Sequence, residues 1–177
     1  MSAAPNHKIE NQISVDWEKW QPKEEGVLCF IRPTSDPEKI LLIEKKRGLG
    51  AGKVNGPGGR IEPEESPLEA AIRETQEEVQ LTPMNCHCRG ILNFQFIDGY
   101  SLRCHVFLAS EYMGEMKETD EAKPFWQNIQ EIPYENMWAD DIYWLPALLE
   151  GKKFQGNFVF DSDKMLYNHL SILDISS

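Results

Sequence analysis

The sequence predicts a mixed α/β fold built as a single domain. Apolar runs of strand length occur both before and after one strongly marked helix, a pattern typical of helices packed on a mixed sheet. Of the 177 residues, 41% are hydrophobic, which is enough for one ordinary core. A chain of this length leaves little material for a second domain.

The first residues form a largely polar segment that we expect to be an arm. Val15, Trp17 and Trp20 are its large apolar side chains near the end of the segment. The two tryptophans are expected to order part of the arm, because each brings a large apolar surface. We therefore divide the chain into an N-terminal arm, residues 1–22, and a folded domain, residues 23–177.

The first two strands are predicted at residues 26–31 and 39–44, where apolar residues predominate. Residues 32–37 between them include two prolines, a serine and an aspartate, which are typical of a hairpin loop. A glycine-rich segment follows at residues 48–59, where six of the twelve residues are glycine. Such a cluster indicates a loop whose backbone approaches a ligand closely.

The clearest helix is predicted over residues 66–79. Ser66 is the expected N-cap, Pro67 takes the first helical position, and Glu69 completes a capping box. An apolar stripe at helical spacing is expected to face the core, and it consists of Leu68, Ala71, Ile72, Thr75 and Val79.

The remaining elements follow from shorter signals. Strands are predicted at 90–96 and 103–110, a polar loop at 113–123 and a short strand at 125–126. A short helix is predicted over 142–150, with Asp140 and Asp141 as caps and Gly151 beyond its end. A last hairpin is predicted from strands 153–160 and 164–170.

The strong helix also carries a cluster of charges. Glu74, Glu77 and Glu78 are spaced three and four residues apart, so their carboxylates share a helix face, which we expect to lie away from the apolar stripe. Arg73 is placed to pair with Glu77. Such a face is either plainly solvated or a site for a hard divalent cation such as Mg²⁺. The glycine-rich loop just upstream favours the second interpretation, because its N–H groups suit a diphosphate that carries a metal ion.

The spacing of these residues resembles the Nudix box. From Gly59 the pattern runs through Glu65 to Arg73-Glu74 and Glu77-Glu78, with six residues at the fixed spacing of a 23-residue motif. Two positions depart from it: Thr75 replaces the usual aliphatic residue and Gln80 replaces the second glycine. The resemblance implies the Nudix fold, an α/β/α sandwich around a mixed β-sheet, and an enzyme that hydrolyses a nucleoside diphosphate linkage.

A wider likeness, over about residues 26–170, is to the oxidised-purine nucleoside triphosphatases within that family. The resemblance implies that the base is recognised by five residues: Asn55, Phe94, Trp138, Asp140 and Asp141. Carboxylates accept hydrogen bonds from a guanine edge, and an amide donates or accepts. Two adjacent aspartates in a desolvated pocket can hold one proton between them, so that one of them donates. Without the resemblance, helix capping would account for the two aspartates and core packing for Trp138.

The resemblance further implies hydrolysis of purine nucleoside triphosphates, dGTP or 8-oxo-dGTP, to the monophosphate and pyrophosphate. Mg²⁺, or Mn²⁺ in its place, would be held by Glu74, Glu77, Glu78, Glu121 and the Gly58 carbonyl group. Gly59 would border the substrate in the same loop.

The catalytic assignments leave one choice open. The general base is either Glu77 in the box or Glu121 in the loop at residues 118–121, where a plain surface charge is the other interpretation of Glu121. Arg73 is expected to position Glu77, and Lys45 to contact a phosphate group.

Other functions remain open at this stage. A Nudix hydrolase of another nucleoside diphosphate derivative, such as a sugar nucleotide, a dinucleotide or capped RNA, is an alternative, because Leu49 and Val54 replace aromatic residues that are usual in this branch of the family. A non-catalytic nucleotide sensor is a further alternative. Cys86-His87-Cys88 with Cys104-His105 offers metal-ligating residue types, but their spacing is not that of a zinc ribbon.

Composition excludes several classes of function. The net charge of −11 argues against binding of long nucleic acids, which requires a basic surface. No apolar run approaches the length of a membrane helix, and the polar N-terminal residues do not form a signal peptide. Four cysteines are too few for a disulfide scaffold. We therefore expect a cytoplasmic protein whose partner is a small nucleotide, with no preference between monomer and dimer.

Overall fold

A computed structural model describes residues 7–8 and 14–173. Its strands are β1 (His7–Lys8), β2 (Ser14–Val15), β3 (Glu24–Ile31), β4 (Lys39–Lys45), β5 (Val54–Asn55), β6 (Gly58–Arg60), β7 (Thr82–Phe96), β8 (Ser101–Met113), β9 (Ala122–Asn128), β10 (Lys153–Asp161) and β11 (Lys164–Leu173). Its α-helices are α1 (Pro67–Val79) and α2 (Asp141–Leu149), and a 3₁₀ turn spans Tyr134–Asn136.

The strands form a large mixed sheet and a smaller antiparallel one. The large sheet has six strands in the order β11-β10-β7-β8-β3-β6. Within it, β10 runs parallel to β7 and β3 runs parallel to β8, while the other neighbours are antiparallel. The smaller sheet has the order β5-β4-β9, and β1 pairs with β2. The predicted last hairpin is confirmed as β10 and β11.

The prediction of a hairpin between the first two strands is wrong. β3 lies between β8 and β6 in the large sheet, whereas β4 pairs with β5 and β9 in the small one. The loop between them carries Arg32, which donates hydrogen bonds to the carbonyl oxygens of Pro37 and Leu149, both at 2.7 Å. These bonds anchor the loop that connects the two sheets.

The two helices cover opposite faces of the large sheet. Successive side chains of a strand point to opposite faces. Val27 and Cys29 of β3 accordingly pack with Ala70 and Ala71 of α1. Phe30, on the other face, packs edge-on against Trp144 of α2 with 5.9 Å between the ring centroids. The predicted α/β/α sandwich around a mixed sheet is therefore confirmed.

Helix α1 begins where its capping signals predict. The Glu69 N–H donates to Ser66 Oγ at 3.1 Å, and the helix ends at Gln80 in the left-handed conformation, with φ of 62°. The buried stripe differs from the prediction: Leu68 is 41% exposed, whereas Ala70 is buried and so is Glu78. The expectation that all three carboxylates face away from the core is therefore wrong for Glu78.

Two other boundaries differ from the predictions. β7 begins at Thr82 rather than at residue 90, because its early residues pair with the far end of β8. The loop predicted at 113–123 ends earlier, since Ala122 already pairs with Lys45 of β4. Two short strands, β5 and β6, also lie within the glycine-rich segment.

The described part of the arm packs on the large sheet. Trp17 stacks on Tyr167 of β11 with 6.3 Å between the ring centroids, and Trp20 lies 5.5 Å from Trp17. Val15 is buried beside Val159 of β10 in the same cluster. The division of the chain at residue 22 stays a prediction. Among the described residues, neither helix has the length and apolar character needed to cross a bilayer.

Candidate active site

A cavity of about 700 Å³ opens between the glycine-rich segment, α1 and the start of α2. Most of the residues that the sequence selected for a site line this cavity. They are Lys45, Asn55, Gly58, Gly59, Glu74, Glu78, Phe94, Glu121, Trp138, Asp140 and Asp141. Two selected residues, Arg73 and Glu77, lie outside its lining.

Three carboxylates converge at one end of the cavity. Glu74 and Glu78 come from α1 and Glu121 from the loop before β9, and each offers an oxygen within 4.8 Å of the others. Carboxylate oxygens brought this close repel one another unless a cation lies between them. Oxygen ligands of this kind are the ones that Mg²⁺ and similar hard divalent ions prefer. The residues present therefore fit a divalent metal ion.

Glu78 is the most deeply placed of the three. Its side chain is 4% exposed, and burial together with the nearby charge of Glu74 raises its pKa to about 8. The Gly58 N–H donates to Glu78 Oε2 at 3.4 Å, which is a long hydrogen bond. Burial also raises the pKa of Glu74. Glu78 therefore has little nearby positive charge to stabilise it as an anion, whereas Glu74 is paired with Arg73.

Gly59 lets the loop reach the helix. A Cβ atom at this position would run into the carboxyl group of Glu74, and one at Gly58 would run into the carbonyl oxygen of Val27. The backbone of β6 therefore touches the carboxylates directly, which only glycine permits here.

Arg73 organises the outer side of the carboxylate cluster. It donates to Glu65 through Nε and Nη2 at 2.7 and 2.9 Å, and through Nη1 to Glu74 at 2.8 Å. It also donates to the Arg60 carbonyl oxygen at 3.0 Å. The bonds from Arg73 to Glu65, together with one from the Glu62 N–H, hold the pKa of Glu65 at about 2. Arg73 thus ties the loop before α1 to the helix and fixes one oxygen of Glu74.

Glu77 occupies a different position from the one expected of a metal ligand. Its side chain is 51% exposed, and its Oε2 accepts from Arg73 Nη1 at 3.2 Å. It is not one of the three carboxylates that converge. The predicted pairing of Arg73 with Glu77 is therefore confirmed, while the structure brings Glu121, rather than Glu77, to Glu74 and Glu78.

Two buried aspartates lie at the other end of the cavity. Asp140 and Asp141 are 2% and 3% exposed. Asp140 Oδ2 accepts from the indole N–H of Trp144 at 2.7 Å, so its side chain does not cap the helix. Asp140 Oδ1 and Asp141 Oδ2 are buried without a hydrogen-bond partner. Burial raises the pKa of Asp140 to about 6 and that of Asp141 well above the usual range, and the two carboxyl groups interact.

The other predicted base-binding residues surround this end. Asn55 Oδ1 accepts from the Gly56 N–H at 2.8 Å, which turns its amide oxygen toward the backbone. The Trp138 ring stands edge-on to Phe160, with 5.5 Å between the centroids. Phe94 stacks on Phe158 at 5.4 Å. The aromatic side chains form the apolar part of the cavity wall. Asp140 Oδ1 and Asp141 Oδ2 are the two polar atoms of this end that have no hydrogen-bond partner.

Sequence reasoning missed part of the cavity wall. Arg47, which was not among the predicted site residues, lines the mouth and donates to Glu121 Oε1 at 2.9 Å. Arg60 also lines the mouth, and the floor includes Tyr100 and Cys104. The sequence signal that could have identified Arg60 is its position directly after Gly58 and Gly59. The alternation of β8 alone did not show which of its faces meets a cavity.

The cysteine and histidine cluster does not assemble. Cys86 lies on the α1 face with its Sγ 3.8 Å from that of Cys29, whereas Cys104 lies on the opposite face and lines the cavity. Among the residues that the structure describes, the carboxylate cluster is the single group with metal-binding geometry.

Comparison with known proteins agrees with this geometry. Residues 22–148 match the NUDIX domain. The chain is 44% identical over 134 residues to the oxidized purine nucleoside triphosphate hydrolase of Danio rerio, covering 75% of this chain and 86% of that protein. The Mus musculus protein of the same name is 39% identical over 140 residues, covering 78% and 90%. A MutT protein from Bacillus halodurans has a similar solved structure, with a TM-score of 0.74 and 28% identity, covering 84% of this chain and 97% of that one. The chain therefore belongs to the Nudix hydrolase family.

Proposed function

We propose that this enzyme hydrolyses purine nucleoside triphosphates, dGTP or 8-oxo-dGTP, to the monophosphate and pyrophosphate, and so cleans or controls the nucleotide pool. The observation that carries the proposal is that one cavity holds three convergent carboxylates at one end and two buried aspartates with orphaned oxygens at the other. The names of the two animal relatives support the same substrate class.

The base is recognised at the aspartate end. Asp140 and Asp141 face the purine edge. Burial raises the pKa of both carboxyl groups, which favours a state in which one keeps its proton and donates while the other accepts. Asn55, whose amide oxygen is taken by Gly56, donates through its NH₂ group. Trp138 and Phe94 stack on the purine ring.

The phosphates lie at the carboxylate end. Glu74, Glu78 and Glu121, with the Gly58 carbonyl group, would hold Mg²⁺, or Mn²⁺ in its place. Glu77 would join them as a further ligand once its side chain turns away from Arg73. When bound, the ion neutralises charge on the phosphates and makes a water molecule more acidic. Gly59 keeps the backbone close to the substrate, and Lys45 contacts a phosphate group.

A carboxylate of the site takes the proton of the attacking water. Glu121 lines the cavity, whereas Glu77 is turned toward Arg73, so Glu121 is the better placed of the two. Arg73 contributes by position, since it fixes Glu74 and Glu65.

A second substrate class is favoured by the cavity mouth. Leu49 is 49% exposed there, and no large aromatic ring stands at this position to close the slot. A nucleotide with a bulkier group, such as a sugar nucleotide or a dinucleotide, fits such an opening.

We also propose that residues 1–22 are an arm outside the catalytic domain. The four free cysteines support a cytoplasmic location.

The test is kcat/KM with Mg²⁺ for dGTP, 8-oxo-dGTP, dATP, ATP and a nucleoside diphosphate sugar, with pyrophosphate and phosphate detected separately. Pyrophosphate release that is fastest for guanine nucleotides is the expected result. The ratio of dGTP to 8-oxo-dGTP then distinguishes pool control from removal of damaged nucleotides. Turnover of the sugar nucleotide alone would leave the metal site standing and contradict the roles of Asn55, Asp140 and Asp141.

A further inference from the structure

Lys53 lies beside the aromatic wall of the cavity. It lies in the middle of the glycine-rich segment, one residue before β5 and two before Asn55. Its Nζ lies 5.2 Å from the ring centroid of Trp138. Trp138 lines the cavity, whereas Lys53 is not part of its lining. A cation over the face of a tryptophan ring is attracted by the electron density of that face.

The lysine is itself held in place. Its Nζ is 3.6 Å from Asp163 Oδ2, in the turn between β10 and β11, and its side chain is 28% exposed. A lysine side chain has much rotational freedom to lose, so a second anchor is needed to keep the ammonium group over one ring. The ion pair joins the glycine-rich segment to the β10–β11 turn beside Trp138.

Three further residues contact Trp138. Phe96 and Phe160 stand edge-on to the ring, with centroid distances of 6.2 and 5.5 Å. Gly50 abuts the indole nitrogen, since a Cβ atom there would lie 2.7 Å from Nε1. These contacts restrict movement of the ring. Among the described residues, Lys53 is the cation found over its face.

We propose that Lys53 is a positioning residue for purine recognition: it holds the Trp138 ring in the plane on which the base stacks. The inference rests on the proposed function, since it assumes that Trp138 stacks on the base. Lys53 does not touch the substrate and takes no part in the hydrolysis.

The test measures binding of dGMP by calorimetry without metal, and steady-state kinetics of dGTP with Mg²⁺. The full-length chain is compared with Lys53→Met, Lys53→Arg, Trp138→Leu and the Lys53→Met/Trp138→Leu double variant. Lys152→Met is the matched control, because Lys152 is also ion-paired, to Glu150 at 2.8 Å, but has no ring beneath it.

We expect Lys53→Met to weaken dGMP binding roughly three- to tenfold and to raise KM with little change in kcat. Lys53→Arg should restore binding, since a guanidinium group also lies well over an aromatic ring. In the Trp138→Leu background, Lys53→Met should have no further effect.

Two results would overturn the proposal. One is a Lys53→Met variant that binds dGMP as well as Lys152→Met does. The other is an equal loss from Lys53→Met with and without Trp138, which would mean that the lysine acts through something other than the ring. If Trp138→Leu alone leaves dGMP binding unchanged, the base pocket of the proposed function fails, and that failure is visible in a variant that leaves Lys53 untouched.

Discussion

Glu78 is a buried acid with little to stabilise its charge. It lies on the core side of α1, repelled by Glu74 and reached by one long hydrogen bond from the backbone. Burial of a carboxyl group without a close cation costs stability. A side chain kept in such a place serves the site rather than the fold.

Glu78→Gln is therefore expected to separate activity from stability. Turnover should fall by about a hundredfold or more, because a metal ligand is lost. The free energy of unfolding without metal should stay the same or rise by up to about 1 kcal/mol, since a buried charge is removed. Urea unfolding and kcat measure the two effects. Mg²⁺ should raise the Tm of the parent protein and not that of the variant.

Glu69→Gln is the control for this variant, because Glu69 lies on the exposed first turn of the same helix. It should leave both activity and the metal-induced rise in Tm unchanged. A Glu78→Gln protein that keeps its turnover would remove Glu78 from the site.

The aspartate pair should make stability depend on pH. Burial raises the pKa of Asp140 from about 4 in the unfolded chain to about 6 in the folded protein, and that of Asp141 further. The folded state thus binds the proton more tightly. Its stability is greatest below pH 4 with respect to this pair and falls as the pH rises through 6.

Asp141→Asn should flatten this dependence and stabilise the protein at pH 7 relative to the parent. Urea unfolding between pH 4 and pH 7 is the measurement. Equal slopes for the two proteins across that range would show that the pair ionises normally. The Asn variant should also lose discrimination between guanine and adenine nucleotides, because it cannot exchange a donor for an acceptor.

At the scale of elements, the end of α1 departs from its family motif. Gln80 stands where the Nudix box has its second glycine, and it adopts the left-handed conformation with φ of 62°. A side chain in that conformation costs about 1 kcal/mol relative to glycine. The helix is therefore closed by a residue that is not the most favourable one for its backbone.

Gln80→Gly should raise the free energy of unfolding by about 0.5 to 1 kcal/mol, because the strain of the left-handed turn is relieved. Thermal or urea unfolding detects the change. Gln76→Gly, one turn earlier in the same helix, should lower stability by about 1 kcal/mol. If both variants were destabilised alike, the C-terminal turn would not be strained.

Local signals in the sequence were enough for α1 and for the last hairpin. Ser66 and Glu69 predict the helix start because the capping box uses neighbouring residues alone. The partners of β3 are not local: β8 and β6 lie far along the chain, and no turn signal encodes them. The burial of Glu78 was missed for a similar reason, because the approach of the glycine backbone at β6 decides which side of α1 is covered.

The same difference between local and long-range signals decided which site residues could be predicted. Fixed spacing within one helix placed Glu74 and Glu78 together. Glu121, Asn55 and the aspartate pair come from separate segments, and only the resemblance to a family brought them into one pocket. Arg47 was missed because a charge at a strand end looks the same whether it faces solvent or a cavity mouth.

At the scale of the whole molecule, the described part of the arm packs on the large sheet away from the cavity. Trp20 donates from Nε1 to Gln95 Oε1 at 2.9 Å, and Arg103 lies over its ring at 5.6 Å from the centroid. No described residue of the arm lines the main cavity. The packing thus links the two ends of the described chain without reaching the site.

Trp20→Ala should lower the free energy of unfolding by about 2 to 3 kcal/mol, since it removes a large apolar contact and a hydrogen bond. Its kcat/KM at 20 °C should equal that of the parent protein. Chemical unfolding and steady-state kinetics test the two statements. A fall in kcat/KM without a change in substrate affinity for the folded protein would give the arm a catalytic role.

The two ends of the cavity are built from different parts of the chain, and this bears on how such enzymes diverge. The carboxylates depend on α1 and on the backbone of β6, whereas the base slot depends on β5 and the start of α2. A lineage can replace Asn55 or the residues around Asp140 without disturbing the helix that supports hydrolysis. Duplicated copies of one ancestral gene can therefore acquire new nucleobase preferences by a few substitutions, while each copy inherits its chemistry intact.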